Sequence, residues 1–264
     1  DEAARDGVIL IDPLDCDEAI AKLPQNVFCV AKTTEDLGQT LGANIINHDS
    51  SLPVGIIYYG SDAFMGTAAK AAIDLIKVQG KPLPLEESYI EGTTDFKPLL
   101  LRLRQRGARS LAFLGYDELG FAMRQARELG ITGQFFSLNT VMSPGWSKAA
   151  GDSTNGSIVA TWLAPRSERL EEYFKAFKEK VGRLPNLEFA SVPPYDAAQI
   201  LLKNISTTIH KETGAVDINV LQEKLYRTKD YNGLSGSITI DSDGIVRSLH
   251  NAIFILKEGK LEHL

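Results

Sequence analysis

The chain has 264 residues, a length that corresponds to about two globular domains or one large α/β domain. Hydrophobic residues make up 44% and charged residues 23% of the sequence, which excludes a disordered or collagen-like chain because a sizeable core can be buried. The 28 Lys and Arg residues against 34 Asp and Glu residues give a net charge of −6, which argues against a nucleic-acid-binding surface. No run approaches the roughly 18 apolar residues that span a bilayer, and no targeting segment is visible at residues 1–7.

Short apolar runs alternate with amphipathic stretches through the first part of the chain. The runs predict strands because they are too short and too apolar for surface helices. The predicted strands are Val8–Ile11, Val27–Val30, Val54–Tyr59, Ser88–Glu91, Ser110–Leu114, Gln134–Leu138 and Ser157–Trp162. Apolar residues at helical spacing predict helices between them. These helices are Leu37–Asn47, Gly66–Gln79, Phe96–Arg106, Glu118–Leu129 and Gly145–Ala150. The alternation requires right-handed crossovers, so the middle of the chain is predicted to be a doubly wound α/β domain with a mostly parallel sheet.

The last hundred residues have a different pattern, with three predicted helices in succession and then two β segments. The helices are Glu168–Val181, Phe189–Lys211 and Asp217–Thr228, and the β segments are Ser235–Asp241 and Asn251–Lys257. This region has too few strands for a sheet of its own, so we expect a second lobe built from both ends of the chain. Residues 1–7 read like the end of a helix whose beginning is missing. A single domain with extra helices is the simpler alternative.

Several short phrases lie in an order and at spacings that are more specific than any one of them. They are SDAFMG at 61–66, EGTTDF at 91–96, GAR at 107–109, RQARELG at 124–130, YDAA at 195–198, YNGLSGS at 231–237 and IDSDG at 240–244. The ordered set resembles the type I periplasmic solute-binding proteins of the branched-chain amino acid (Leu/Ile/Val) transport group. The resemblance runs from about residue 7 to residue 260 and lacks the beginning of the family, roughly its first quarter.

The resemblance implies two Rossmann-like lobes that close on a small molecule and present it to an ABC transporter permease. The N-terminal lobe, incomplete here, would comprise residues 1–33 and 165–243, and the C-terminal lobe residues 34–164 and 244–264. The crossovers are expected near Lys32–Glu35, Leu163–Arg166 and Asp243–Leu249. A protein of this group is periplasmic or extracellular, and a missing N-terminal segment could anchor it to the membrane, so that it is peripheral to the membrane at most.

Ligands of open α/β sheets bind beyond the carboxyl ends of the strands, and this rule selects four loops. Polar and apolar side chains there are predicted to contact the ligand. The candidates are Ser61, Asp62, Ala63, Phe64, Tyr116, Asp117, Asn139 and Thr140 in the middle region, and Leu14, Asp15 and Cys16 near the start. Met65 is a further source of apolar contact. Ser61, Asp62 and Asp117 could instead cap the helices that follow them, whereas no helix is predicted between Thr140 and Pro144.

The amino-acid binders of the group hold the ligand ammonium with a Thr and small residues in the loop aligned with 13–17, and with an acidic residue aligned near Asn139. Leu14, Asp15, Cys16 and the neutral Asn139 depart from that pattern, and Ala63 stands where a tyrosine is common. These departures weaken an amino acid as the ligand, although Asp15 could meet an ammonium group. Cys16 and Cys29 could form a disulfide or remain two buried thiols.

An enzyme is the weaker alternative, because the sequence has no G-x-S-x-G, G-x-G-x-x-G, P-loop or H-E-x-x-H motif. The four histidines are scattered, so no metal site, catalytic residue or cofactor is predicted. A ligand-sensing receptor or regulator with the same fold is the other alternative. The sequence therefore favours a solute-binding protein whose ligand is an amino acid or a related small carboxylate or amide, without a nucleic-acid partner.

Overall fold

The structure is a computed structural model that describes residues 2–14, 16–23, 25–48, 53–82, 84–210 and 212–264. Contacts between residues divide the chain into two compact units. Unit 1 comprises Asp1–Thr33 and Trp162–His250, and unit 2 comprises Thr34–Thr161 and Asn251–Leu264. Both units are discontinuous in sequence, because the chain leaves unit 1, builds most of unit 2 and then returns.

Helices and strands alternate through unit 2 and give way to a helix-rich stretch in unit 1. In chain order the elements are α1 (Glu2–Arg5), β1 (Leu10–Asp12), β2 (Val27–Cys29), α2 (Thr34–His48), β3 (Gly55–Tyr59), α3 (Ala63–Val78), β4 (Leu85–Tyr89), α4 (Lys97–Gln105), β5 (Leu111–Leu114), α5 (Leu119–Glu128), β6 (Phe135–Leu138), α6 (Pro144–Ala150), β7 (Ile158–Thr161), α7 (Glu168–Val181), α8 (Val192–Ile205), α9 (Ile218–Tyr226), β8 (Tyr231–Asn232), β9 (Ser237–Ile238), β10 (Ala252–Lys257) and β11 (Lys260–His263).

Unit 2 is built on one sheet with helices on both faces. Among the described residues its strand order is β11-β10-β7-β6-β5-β3-β4, and the strands from β7 to β4 are parallel. Successive strand residues point to opposite faces, so Ile56 packs with α2 and α3 while Ile57 packs with α4, α5 and α6. Strands β10 and β11 close the other edge in antiparallel pairing. The prediction of an α/β fold with a doubly wound, mostly parallel sheet is confirmed.

Unit 1 contains a short parallel pair, β1 with β2, together with α7, α8, α9 and the small antiparallel pair β8–β9. Its core is an apolar cluster that includes Phe28, Trp162, Leu170, Ile200 and Leu225, all of them buried. A disulfide joins Cys16 to Cys29, with their Cα atoms 5.6 Å apart. The pairing that the sequence left open is therefore present.

The unit boundaries differ from the predicted ones at two places. Residues 244–250 were assigned to the other lobe, but the amide of Cys29 donates to the carbonyl of Gly244 at 2.8 Å, and the amide of Val246 donates to the carbonyl of Cys29 at 3.0 Å. These bonds lay the segment along β2 in unit 1. Trp162 and Ala164 are buried in the unit 1 cluster, so the earlier boundary falls after residue 161 rather than 164.

Several predicted elements have the wrong bounds, and the following three show the physical reasons. Strand β4 begins at Leu85 rather than at residue 88, because its residues alternate in exposure at the sheet edge and do not form an apolar run. Helix α8 spans Val192–Ile205 rather than 189–211, and Lys211 lies outside the described residues. It begins beside Pro193 and Pro194, which suit a first turn because they lack an amide hydrogen. The β segment predicted at 235–241 is reduced to β9 and an isolated bridge between Ile240 and Val246.

Candidate functional site

The fold of unit 2 creates a crevice at the carboxyl edge of its sheet. Strands β3 and β5 are parallel neighbours, but β3 leads into α3 on one face and β5 into α5 on the other. Two loops that leave adjacent strands in opposite directions open a gap between them, and this is the place where open α/β sheets bind ligands. The candidate site is built from the residues that follow β3, β5 and β6.

Asp62 and Tyr116 meet across this gap. The Asp62 carboxylate accepts from the amide of Met65 at 2.8 Å as the N-cap of α3, and its second oxygen accepts from the Tyr116 hydroxyl at 3.1 Å. The predicted capping role of Asp62 is confirmed, and the same carboxylate orients the tyrosine. The Tyr116 side chain remains 39% exposed, which leaves its ring available at the rim.

Aromatic rings extend from Tyr116 into the sheet. Tyr59 lies edge-on to Tyr116 with ring centroids 6.1 Å apart and stacks on Tyr89 at 5.4 Å. Burial raises the pKa of Tyr89, and burial followed by the carboxylates of Glu91, Glu118 and Asp62 raises the pKa of Tyr59. Both phenols are therefore neutral donors over the physiological pH range. The Tyr89 hydroxyl also accepts from the amide of Tyr116 at 3.2 Å.

Gly115 is required beside these rings. A Cβ atom at this position would lie 2.1 Å from the Tyr89 hydroxyl oxygen, so any side chain would displace the ring. Four members of this group were not predicted from the sequence: Tyr59, Tyr89, Glu91 and Glu118. Tyr59 and Tyr89 each end a strand, and this position was the signal that could have identified them.

Asp117 supports the loop rather than opening toward a ligand. Its carboxylate accepts from the Ser143 hydroxyl at 2.6 Å, and Ser143 is the N-cap of α6. A Cβ atom at Gly145 would lie 1.8 Å from the other carboxylate oxygen, so the glycine allows the approach. Asp117 thus links the end of β5 to the start of α6. The alternative prediction that Asp117 caps the next helix, α5, is wrong, because no side chain caps that helix.

Asn139 and Thr140 end β6 in a short 3-10 turn at Asn139–Met142, where the sequence predicted no helical residues before Pro144. Asn139 is only 6% exposed and Thr140 only 8% exposed. Within the described part of the protein, the Asn139 Oδ1 and Thr140 Oγ1 atoms have no hydrogen-bond partner. A buried polar atom without a partner is costly, so the turn presents an acceptor and a hydroxyl that a ligand could satisfy.

The structure places the other predicted residues differently. Ser61 and Ala63 are exposed beside Asp62, and Phe64 is half-buried against the α2–α3 face. Met65 is fully buried in that core and offers no ligand contact, which contradicts its predicted role.

The three candidates near the start belong to unit 1. The amide of Leu14 donates to Asp12 Oδ1 at 3.0 Å, and Asp15 lies outside the described residues. Cys16 is fully buried in the disulfide, so its side chain is not open to a ligand.

In the described ranges, no cluster of three or more His, Cys, Asp or Glu side chains suitable for a metal ion occurs. No helix in the same ranges has the length and apolar character needed to cross a membrane.

Comparisons with curated proteins find relatives named as branched-chain amino acid-binding proteins or as homologs of them. The chain is 24% identical over 221 residues to Leu/Ile/Val-binding protein homolog 1 of Brucella abortus (strain 2308), which covers 83% of the chain and 57% of that relative. It is 25% identical over 173 residues to a leucine-, isoleucine-, valine-, threonine- and alanine-binding protein of Pseudomonas aeruginosa, covering 64% of the chain and 43% of the relative. The chain therefore spans about half the length of these relatives.

Solved structures share the fold over nearly the whole chain. A leucine-binding protein of Thermotoga maritima MSB8 matches with a TM-score of 0.85 and 21% identity, covering 99% of this chain and 73% of that one. A solute-binding protein of Rhodopseudomonas palustris, solved with benzoate, matches with a TM-score of 0.80 and 15% identity, covering 100% of this chain and 72% of that one.

The profile of the family described as Periplasmic binding protein matches residues 2–254. This match takes in most of both units and every residue of the candidate site. Together with the Leu/Ile/Val-binding relatives, it confirms the resemblance that the ordered sequence phrases indicated. The chain belongs to the periplasmic binding protein family and has the type I fold of its branched-chain amino acid group.

Proposed function

We propose that the chain is the ligand-binding part of an extracytoplasmic solute-binding protein that delivers a small molecule to an ABC transporter permease. The observation that carries the proposal lies at the carboxyl edge of the unit 2 sheet, where the buried Asn139 Oδ1 and Thr140 Oγ1 atoms have no hydrogen-bond partner among the described residues. Such atoms are expected where a ligand completes the hydrogen bonding. The family supports a binding role rather than catalysis.

We further propose that the ligand is an amino acid or a related small carboxylate or amide. A protein of this group from Streptococcus pneumoniae was solved with isoleucine, and the R. palustris neighbour with benzoate. A carboxylate at the position of Asn139 would favour a ligand with an ammonium group. The neutral amide of Asn139 does not, so a ligand without an α-ammonium group fits the turn as well as an amino acid does. The tyrosines at the crevice supply apolar surface for the remainder of the ligand.

The compartment in this proposal is the periplasm or the cell exterior. The Cys16–Cys29 disulfide supports it, since disulfides persist in oxidising compartments and are rare in reducing ones.

A thermal-shift panel tests the binding proposal. The panel contains leucine, isoleucine, benzoate, acetamide and glucose at millimolar concentration. A ligand at about 1,000 times its Kd stabilises the native state by about 4 kcal/mol, so a binder produces a clear rise in Tm. We expect a rise confined to carboxylates and amides. A panel in which no compound raises the Tm would contradict a working site in this chain.

Delivery to a permease needs a separate test in cells. Uptake of the radiolabelled ligand identified by the panel is measured with and without the gene. We expect uptake to fall when the gene is deleted. Unchanged uptake with retained binding would contradict the transport role and favour the sensing alternative.

A further inference from the structure

A second cavity lies within unit 1, beside the C-terminal ends of α8 and α9. It has a volume of about 470 Å³ and is lined by residues of both helices, of the segment that follows α9 and of β8. Ile200, buried in the unit 1 core, contributes to its apolar lining. This volume is in the range of small-molecule sites.

The cavity is strongly basic in a protein whose net charge is −6. Lys203, Lys224, Arg227 and Lys229 line it, and Asp230 is the one carboxylate among its described lining residues. Among the described residues, the three lysines form no ion pair, and Arg227 pairs only with the exposed Glu223 at 3.3 Å. Four cations that converge on a concave surface concentrate anions there.

Two of these cations are already held in place. The Lys224 ammonium donates to the carbonyl oxygen of Thr207 at 3.1 Å and to its hydroxyl at 2.7 Å. The Lys203 ammonium lies over the ring of Tyr231, 5.5 Å from the centroid. Side chains that are fixed before binding lose less conformational entropy when an anion arrives.

Helix electrostatics explain part of this pattern. Basic residues are favoured in the last turn of a helix, which accounts for Lys203 in α8 and Lys224 in α9. Arg227 is the C-cap of α9 and is favoured there for the same reason, whereas Lys229 lies beyond the helix. Lys229 nevertheless lines the same cavity. The convergence of all four therefore points to a ligand of opposite charge.

We propose that this cavity binds a phosphate group, carried either by a small soluble phosphate ester or by the headgroup of an anionic lipid. A phosphate presents several acceptor oxygens and up to two negative charges, which matches a set of cationic donors with few acceptors. A single carboxylate would leave most of the positive charge unneutralised. The volume beyond one phosphate accommodates the organic part of the ester or headgroup.

Calorimetric titration with inorganic pyrophosphate tests the site in the intact chain. We expect the triple variant Lys203→Gln, Lys224→Gln, Lys229→Gln to bind about tenfold or more weakly than the unmodified protein at low salt. The matched control is Lys175→Gln, Lys178→Gln, Lys180→Gln, which removes three exposed lysines from α7 and changes the net charge equally. An equal loss in the control, or no pyrophosphate binding by the unmodified protein, would overturn the proposal.

Because Lys224 also contacts Thr207, the triple variant is first checked for folding by circular dichroism. The single variant Lys229→Glu, in an exposed segment, gives an independent result if the triple variant is unstable. It is expected to weaken pyrophosphate binding about threefold or more. Unchanged affinity in Lys229→Glu would count against the site.

Flotation with vesicles distinguishes the two sources of phosphate. Vesicles of phosphatidylcholine with and without phosphatidylglycerol are compared at equal lipid concentration. Pyrophosphate-sensitive flotation with phosphatidylglycerol, lost in the triple lysine variant, assigns the site to a lipid headgroup. Pyrophosphate binding without flotation assigns it to a soluble phosphate ester. These outcomes rest on pyrophosphate, on the lysine variants and on vesicles, none of which is part of the thermal-shift panel, so this proposal and the proposed function can fail separately.

Discussion

The hydroxyl of Tyr116 donates to the Asp62 carboxylate at 3.1 Å and joins the loops that follow two adjacent strands. The same carboxylate caps α3 through its other oxygen. One acidic side chain thus fixes both the start of a helix and the position of a tyrosine at the candidate site.

Asp62→Ala is expected to lower the free energy of unfolding by about 1 kcal/mol, because the first turn of α3 loses its side-chain acceptor. Asp62→Asn keeps an acceptor and should cost clearly less. Urea denaturation of both variants measures the difference. Tyr116→Phe is the control for the hydrogen bond between the Tyr116 hydroxyl and Asp62. Because Tyr116 is exposed, this variant should lower the free energy of unfolding by less than about 0.5 kcal/mol. Equal destabilisation by Ala and Asn would contradict the capping role.

Thr140→Val tests whether the unpartnered hydroxyl serves the ligand. Because the Thr140 hydroxyl has no partner in the described protein, its removal should leave the stability of the unliganded protein unchanged or raised. Affinity for the ligand that the panel identifies should fall about three- to tenfold, the effect of one lost hydrogen bond. Calorimetry measures the affinity.

Ser157→Ala is the matched control for this variant. The Ser157 hydroxyl is also buried and unpartnered among the described residues, but it precedes β7 and so lies at the opposite edge of the parallel strands. Ligand affinity should not change in this control. A similar loss in both variants would show that the effect is not specific to the carboxyl edge.

Loss of the Cys16–Cys29 disulfide should destabilise unit 1 by about 3 kcal/mol, since it closes a short loop that is otherwise free in the unfolded chain. Denaturation of the protein with and without a reducing agent measures the effect. The double variant Cys16→Ser, Cys29→Ser contains no cysteine and should not respond to the reductant. Identical curves for the oxidised and reduced protein would disprove a stabilising disulfide.

Asp196 is a buried carboxylate, 1% exposed, that accepts from the amides of Leu234 at 2.8 Å and Ser235 at 2.6 Å. Asp196→Asn replaces one acceptor oxygen by an NH2 donor that faces a backbone amide. We therefore expect chemical denaturation to show a free energy of unfolding lower by about 2 kcal/mol. Glu179→Gln on the exposed face of α7 removes a charge without such bonds and should stay within about 0.5 kcal/mol. A small effect at Asp196 would contradict its role as an anchor for this loop.

The stability of unit 1 should depend on pH through Arg247. Hydrogen bonds from the Arg247 guanidinium lower the pKa of Asp243. The same guanidinium also contacts the carboxylates of Glu18 at 2.6 Å and Asp241 at 3.3 Å. A lowered folded-state pKa stabilises the protein above the ordinary aspartate pKa of about 4, and this stabilisation disappears as the pH falls through the folded-state value.

Arg247→Gln should therefore be less stable than the unmodified protein near pH 7, and its stability should approach that of the unmodified protein as the pH falls below the ordinary aspartate pKa of about 4. Unfolding curves at a series of pH values measure the gap. Arg227→Gln is the control, because it removes only an exposed ion pair with Glu223. Its free energy of unfolding should differ little from that of the unmodified protein at any pH. A gap that stays constant with pH would contradict the carboxylate contacts.

Hydrophobic pattern was sufficient for most of unit 2. The runs that became β3, β5, β6 and β7 are buried on both faces, and such strands appear as continuous apolar segments. Gly107 and Gly130 have positive φ angles after α4 and α5, the positions that turn the chain out of a helix. Edge strands were harder to predict. Strand β4 carries Glu86 and Glu87 in its middle, and β11, which is short and polar, was not predicted at all.

The candidate site could be predicted only as a set of loops. The strand-end rule selected Asp62, Tyr116, Asn139 and Thr140, but it could not tell a carboxylate that faces a ligand from one that holds a helix. Asp117 illustrates the limit, because its partner Ser143 lies 26 residues away and their contact depends on the packing of α6. Long-range contacts of this kind are not contained in local sequence pattern.

The return of the chain to unit 2 has a consequence for synthesis on the ribosome. Strand β10 pairs with β7, yet residues 162–250 of unit 1 are made between them. The edge of β7 therefore stays open while unit 1 is translated, and an open strand edge is a template for wrong pairing. A chaperone that holds the nascent chain until residue 257 emerges would protect this edge, and stalled or truncated chains that end before residue 252 should aggregate.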